Sequence, residues 1–281
     1  MVPGGLVLVS TPIGNLGDIT TRAVAALQAA ELVLCEDTRT TQRLLSALGL
    51  SARLEALHEY NEEARVPGLV ERLKRGGRIA LVSDAGTPLV SDPGFRLVRA
   101  AIAAGIPVTA TPGPNAAITA LTLSGLPPSP FLFLGFLPPR QAARRAALGT
   151  LRAAELAGLA ATLIWHEAPH RLAEMLDDAL AVMGDRPAAV ARELTKRFEE
   201  IRRGTLAELS AHYAGAAARG EITVLLGPAT ATETGAADLD TALRAALSGH
   251  SLKDAAALVA AATGLPRKQV YARALEIGRE E

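Results

Sequence analysis

Over its first 130 residues the chain alternates short, nearly continuous apolar runs with longer stretches of helical period. LVLVST (6–11), ELVLCED (31–37), LEALH (54–58), RIALVSD (78–84) and IPVTATP (106–112) predict strands. Residues 20–30, 38–49, 61–77 and 92–105 predict the helices between them. Gly49 fits a helix C-terminus, Asn61 an N-cap and Gly76-Gly77 a stop, while Pro67 should interrupt or restart its helix. Unbroken apolar strands separated by helices call for a parallel sheet covered on both faces.

The pattern then changes. FLFLGFLP (131–138), ATLIWHEA (161–168), AAVAREL (188–194), EEIRRGTL (199–206) and EITVLLGP (221–228) predict strands, with helices at 140–155, 169–183 and 206–218. Only TKRF separates the third and fourth of these runs, too short for a helical crossover, so that pair should be antiparallel. TATETGAA (230–237) has linker composition, and 238–281 is helical throughout, with a turn at Gly264 and Pro266. The expected fold is α/β: two αβα domains, a parallel sheet then a mixed one, at 1–112 and 113–229, plus a small C-terminal helical extension at 238–281.

Composition narrows the classes. No apolar run reaches the roughly 18 residues of a membrane span, and the N-terminus reads as a first strand rather than a signal peptide. One cysteine, Cys35, excludes an internal disulfide and is too little for a zinc site, so a reducing cytoplasmic setting and no metal are expected. The 29 basic and 29 acidic residues cancel, which leaves no global field for nucleic acid.

Chemistry in such sheets gathers beyond the carboxyl ends of the strands. STPIGNLGD (10–18) could cradle a phosphate or simply turn from strand to helix. Glu36 and Asp37 stand where a nicotinamide fold places its ribose-binding acid, yet Asp37 or Thr38 would equally well cap the next helix. VSDAGTPLVSDPG (82–94) crowds two Asp, two Gly, two Pro and several hydroxyls into one connection, more special backbone than an ordinary loop needs. TPGPNAAITAL (111–121) forces a turn, and Asn115 can cap a helix. If strand order is simple, these last two segments leave neighbouring strands and wall one pocket.

TPIGNLGD, ELVLCEDTR, VSDAGTPLVSDPG and TPGPNAAITAL stand in the order and spacing of the tetrapyrrole-methylase superfamily, which the chain resembles. WHEAPHRL (165–172), ARELTKRFEEIRRGTL (191–206), GEITVLLGPA (220–229) and the tail 251–277 are similar to its ribosomal-RNA branch, the small subunit methyltransferases I. The resemblance implies S-adenosylmethionine bound at the domain junction, a homodimer, and 2′-O-methylation of a cytidine in the decoding region of 16S ribosomal RNA. Carried onto this sequence, cofactor contacts fall on Pro12, Ser83, Asp84, Ala85, Gly86, Thr87, Asn115 and Ala116, with Glu167, Ala191 and Arg192 added from the second domain. It also moves the CEDTR turn to the substrate side.

Transfer to a ribose hydroxyl needs a base or acceptor at a strand end. Glu36, Asp37 and Glu167 are the candidates carried forward, beside Asp84, His166 and Glu193; a histidine beside a strand end has a structural reading as well. A path for RNA, naked or as the 30S subunit, is expected along Arg39, Arg140, Arg144, Arg145, Arg192, Lys196 and Arg197, against the alternative that 140–145 is a solvated helix face. PRKQVYAR (266–273) could read RNA as a helix-turn-helix, but six acids balance six bases in 238–281, which favours packing. Rival functions are a porphyrinoid methyltransferase, a modifier of a translation-factor side chain, a nicotinamide dehydrogenase (lacking its G-x-G-x-x-G) and a non-catalytic RNA-binding module.

Overall fold

The computed structural model describes residues 4–215, 218–229, 236–263 and 265–280. Most of the 230–237 segment, and Gly264, lie outside them. By internal contacts the chain divides into a first unit, 1–119 with 194–197, and a second, 120–193 with 198–281.

In the first unit, β1 (Gly5–Val9), α1 (Thr21–Ala29), β2 (Leu32–Cys35), α2 (Thr38–Ala47), β3 (Leu54–Ala56), α3 (Glu59–Lys74), β4 (Arg78–Val82), α4 (Phe95–Ala103) and β5 (Val108–Thr111) follow one another. The five strands are all parallel, in the order β3-β2-β4-β1-β5. Leu6, Leu32, Leu34, Ile79 and Leu81 pack with Leu69, Leu73 and Leu97 on one face; Val9, Val33, Ala80 and Val82 pack with Ala23, Leu27 and Leu45 on the other. Burial on both faces explains why these strands read as continuous apolar runs.

Two local expectations need correction. The cap of α3 is His58, and Asn61 stands one turn inside, its Oδ1 accepting from the His58 N–H at 2.9 Å. Pro67 neither stops nor restarts α3. The local Asn61 capping box before it and the core contacts of buried Leu69 and Leu73 after it outweigh a penalty of about 3 kcal/mol for an interior proline.

In the second unit α5 (Ala116–Ser124) leads from the first into β6 (Phe131–Phe136), α6 (Gln141–Leu156), β7 (Thr162–Glu167), α7 (Leu172–Met183), β8 (Pro187–Arg192), β9 (Glu200–Thr205), α8 (Leu206–Tyr213) and β10 (Ile222–Leu226). The sheet is mixed, ordered β6-β7-β10-β8-β9; β6 and β7 are parallel and the other pairs, including β8 with β9, antiparallel. Trp165, Leu163, Val190 and Val224 form its core with Leu148, Met175, Leu176 and Leu209. The tail folds as α9 (Ala236–Leu247), α10 (Leu252–Thr263) and α11 (Arg267–Glu280) around Leu243, Val259, Val270 and Ile277. No helix among the described residues is long and apolar enough to cross a membrane.

Candidate functional site

Register in the first sheet brings the chemistry to one level. Val9 pairs with Val82 on one side and Thr111 on the other, so the loops beginning at Ser10, Ser83 and Pro112 leave the sheet together. The 82–94 and 111–121 segments are not on neighbouring strands as expected, because β1 lies between β4 and β5. They nevertheless meet above its end: Thr87 Oγ1 donates to the Pro114 carbonyl at 3.1 Å.

The first loop is stitched between them. Thr11 N donates to Gly86 O at 2.9 Å and Gly86 N to Thr11 O at 3.1 Å, a single antiparallel bridge. Ser83 Oγ adds a bond to Gly86 O at 3.0 Å. Gly86 has φ +79°, where a side chain is strained, and its neighbours Ile13 and Pro114 leave a Cβ little space. Asn115 caps α5, its Oδ1 accepting from Ile118 N at 3.1 Å, and Ala116 begins that helix. Pro12, Ser83–Thr87, Asn115 and Ala116 thus belong to one hydrogen-bonded edge of the first unit.

The acids divide by environment. Asp37 caps α2 and holds the Arg39 guanidinium through both oxygens, at 3.1 and 2.8 Å. Those hydrogen bonds from Arg39 hold its carboxyl down to about 2, which makes it a weak base. Arg39, otherwise well exposed, is engaged by the same pair. Asp84 Oδ1 accepts from the Asp37 N–H at 3.1 Å, joining the 82–94 loop to the CEDTR turn. Lost solvation raises the Glu36 carboxyl, and the Asp84 charge adds to it. Asp84 is raised by burial as well. Asp92, which sequence reasoning missed, is pushed up to about 6 by burial and then by Glu36 and Asp84. Its one signal in sequence was the second Ser-Asp of the loop.

Residues 194–197 also lie in this unit, and the Lys196 stem runs over Gly14, where any Cβ would collide with it. Arg197 is exposed.

In the second unit, Ile222 of β10 pairs with Glu167 on one side and Arg192 on the other, and Thr223 pairs with His166 and Ala191. Glu167, Ala191 and Arg192 therefore share one end of that sheet. Glu167 is buried, its Oε1 accepting from Ala168 N at 2.7 Å beside Arg171 Nε at 3.2 Å, and burial raises its carboxyl. His166 packs its ring against Phe133 and Phe136, with Nδ1 3.2 Å from Thr223 Oγ1, and burial lowers its pKa. Arg192 is held by Glu200 at 2.9 Å and the Arg219 carbonyl. Glu193 Oε1 accepts from the Glu221 N–H.

The arginine run 140–145 is neither a free RNA path nor a uniformly solvated face. Arg140 is exposed at the start of α6, but the Arg144 side chain is 0% exposed, bonded to Asp178 at 2.7 Å and near Glu174. Arg145, half exposed, also bonds Asp178. Burial alone would raise the Asp178 carboxyl; hydrogen bonds from Arg145, Arg144 and Gln141 outweigh it and hold it below the usual range. Arg144 is thereby withdrawn from the RNA candidates, since a phosphate could reach it only by unpacking α6 from α7.

Among the described residues no three His, Cys, Asp or Glu side chains stand together as a metal site. A cavity of 390 Å³ in the first unit, lined by Arg22, Ala26, Arg78 and Thr109 among others, includes none of the candidate residues.

An all-parallel five-stranded unit followed by a mixed one, with glycine-bearing loops at the strand ends, is the fold of a methylase class. Solved structures similar to this chain include uroporphyrin-III-C-methyltransferase from Thermus thermophilus (TM-score 0.52, 22% identity, 79% of this chain and 94% of that one). Diphthine synthase is similar at a TM-score of 0.59 and 17% identity, over 79% and 90% of the two chains. The chain belongs to the tetrapyrrole (corrin/porphyrin) methylase family, whose profile it matches over residues 5–210. A second profile, the RsmI C-terminal HTH domain, matches residues 233–278. Ribosomal RNA small subunit methyltransferase I of Mesorhizobium japonicum is 48% identical over 97% of this chain and 92% of its own length. The enzyme of that name in Escherichia coli O157:H7 is 45% identical over 97% and 95%.

Proposed function

We propose that this protein transfers the methyl group of S-adenosylmethionine to the 2′-hydroxyl of a cytidine in the decoding region of 16S ribosomal RNA, in the cytoplasm and as a homodimer. The observation that carries this reading is similarity along nearly the whole chain, tail included, to relatives named for ribosomal RNA methylation. Likeness to porphyrinoid enzymes, at 22% identity or less, extends to the fold alone.

The residues of the first unit fit the cofactor. Burial raises the Glu36, Asp84 and Asp92 carboxyl groups at the loop edge, the Asp84 charge raises Glu36 further, and Glu36 and Asp84 raise Asp92; a sulfonium with its amino group would relieve that repulsion. Ala85, Gly86 and Ala116 present backbone edges without bulky side chains. Pro12, Ser83–Thr87, Asn115 and Ala116 would hold the cofactor, and Glu167, Ala191 and Arg192 carry the same assignment by resemblance alone. When bound, S-adenosylmethionine supplies a methyl carbon activated by its sulfonium.

The chain's own part is alignment and proton removal. Thr11, Gly86 and Pro114 lock the loops, so that little ordering remains for binding to impose. Glu36, exposed and more basic than a free carboxylate, is the acceptor for the ribose hydroxyl proton; Asp37 is too acidic to compete. Arg39, Arg140, Arg145, Lys196 and Arg197 are left as phosphate contacts.

Incubation with labelled S-adenosylmethionine and either 30S subunits, free 16S RNA or a porphyrinoid tests the reading. Label in the RNA alone is expected; label in the porphyrinoid would overturn it.

A further inference from the structure

The first unit contains two residues of the Phe, Tyr and Trp types, Tyr60 and Phe95, and its core uses neither. That core is aliphatic on both faces of the sheet. Tyr60 is 96% exposed and Phe95 60%. Large rings left in water, in a unit that has no others, are not explained by packing.

Both stand at the chemically active edge. Tyr60 lies in the first turn of α3, two residues after His58, whose charge acts on Glu36. Phe95 opens α4 directly after the 82–94 loop. The two helix starts are tied together: Arg96 of α4 bonds Glu63 of α3 at 2.8 Å, and Glu62 accepts from Leu97 N at 3.0 Å. The Arg99 guanidinium lies 5.6 Å from the Phe95 ring centre and has no acid partner among the described residues.

We infer that Tyr60 and Phe95 are stacking platforms for unpaired nucleotides of the RNA acceptor, beside the candidate cofactor loop, with Arg99 facing their phosphates. The inference rests on the ribosomal RNA reading above. Unstacked bases are held on aromatic faces by interactions that need no net charge. That suits an edge where Glu59, Glu63, Glu36 and Asp92 offset the nearby arginines. The Phe95 ring at the start of α4, with Ile102 exposed further along that helix, would otherwise suit a second copy of the chain, and the test separates the two.

The full-length protein and its Tyr60→Ala, Phe95→Ala and Tyr60→Phe variants are compared in methylation of 16S RNA and in binding of a short single-stranded RNA. Each alanine should raise the RNA Kd and the acceptor KM about tenfold, leaving S-adenosylmethionine affinity, melting temperature and oligomeric state unchanged. Tyr60→Phe should retain wild-type behaviour. Between about 50 and 200 mM salt the slope of log Kd should not change, because no phosphate contact is lost. Unchanged RNA affinity, a flattened salt slope or a change in oligomeric state instead of RNA binding would overturn the assignment. If the wild type labels no ribosomal RNA, the functional reading fails, and oligomer binding alone then judges the stacking platforms.

Discussion

Asp92→Asn should stabilise this protein at neutral pH, and only there. In the folded chain the Asp92 carboxyl titrates at about 6 because burial, Glu36 and Asp84 disfavour its charge; the ordinary value is 3.8. Folding therefore takes up a proton between those values. The stability tied to that proton is complete below pH 3.8 and is lost as pH rises through about 6. A difference of two units corresponds to about 3 kcal/mol, and solvent screening of a half-buried group reduces it to about 1–2 kcal/mol. Asparagine keeps the shape without the charge. Urea unfolding of both proteins from pH 4 to 8 should give coincident midpoints at the acid end and a variant more stable by about 1–2 kcal/mol above pH 7. A gap independent of pH, or a wild type more stable at pH 8, would refute the placement of Asp92 among like charges.

Arg144→Leu should lose about 3 kcal/mol in the same assay, because buried Asp178 would lose its buried partner and keep only half-exposed Arg145 and Gln141, whereas exposed Arg140→Ala should stay within about 0.5 kcal/mol. Gly86→Ala should weaken S-adenosylmethionine binding several-fold in calorimetry, since its φ of +79° costs a side chain about 1 kcal/mol and the added methyl presses on Ile13. Glu36→Gln should lower kcat by about 10²-fold or more, well beyond the modest rise in cofactor Kd that loss of one nearby negative charge brings; an unchanged kcat would remove it as the proton acceptor.

Strand content was readable because burial on both faces of the first sheet leaves no polar alternation to confuse the runs at 6–11, 31–37 and 78–84. The antiparallel β8–β9 pair followed from the brevity of TKRF, a purely geometric constraint. Strand order was not readable, because nothing local to β4 or β5 records that β1 will lie between them. Pro67 misled for a related reason, its local propensity being outweighed by the burial of Leu69 and Leu73, whereas Asn61 misled by one local register step, standing at N3 of a box whose cap is His58. Arg144 looked like its neighbours in the run, and only the packing of α6 on α7 distinguishes an arginine buried against Asp178 from one in solvent. Asp92 escaped notice because its character comes first from burial and then from the charges of Glu36, far away in sequence, and Asp84, none of which shows locally in the chain. The loop at 82–94 was conspicuous for its composition, and its bonds to Thr11 and Pro114 supply the physical reason for so much special backbone.

The central claim is methyl transfer to a ribose of 16S ribosomal RNA, and nucleoside analysis of the product tests it most directly. After reaction with 30S subunits lacking the modification, digestion of the 16S RNA should release 2′-O-methylcytidine. It should map to the decoding region and form about 10²-fold more slowly when Glu36→Gln replaces the wild type. A methyl group on a base, on another nucleoside or on no RNA at all would contradict the account.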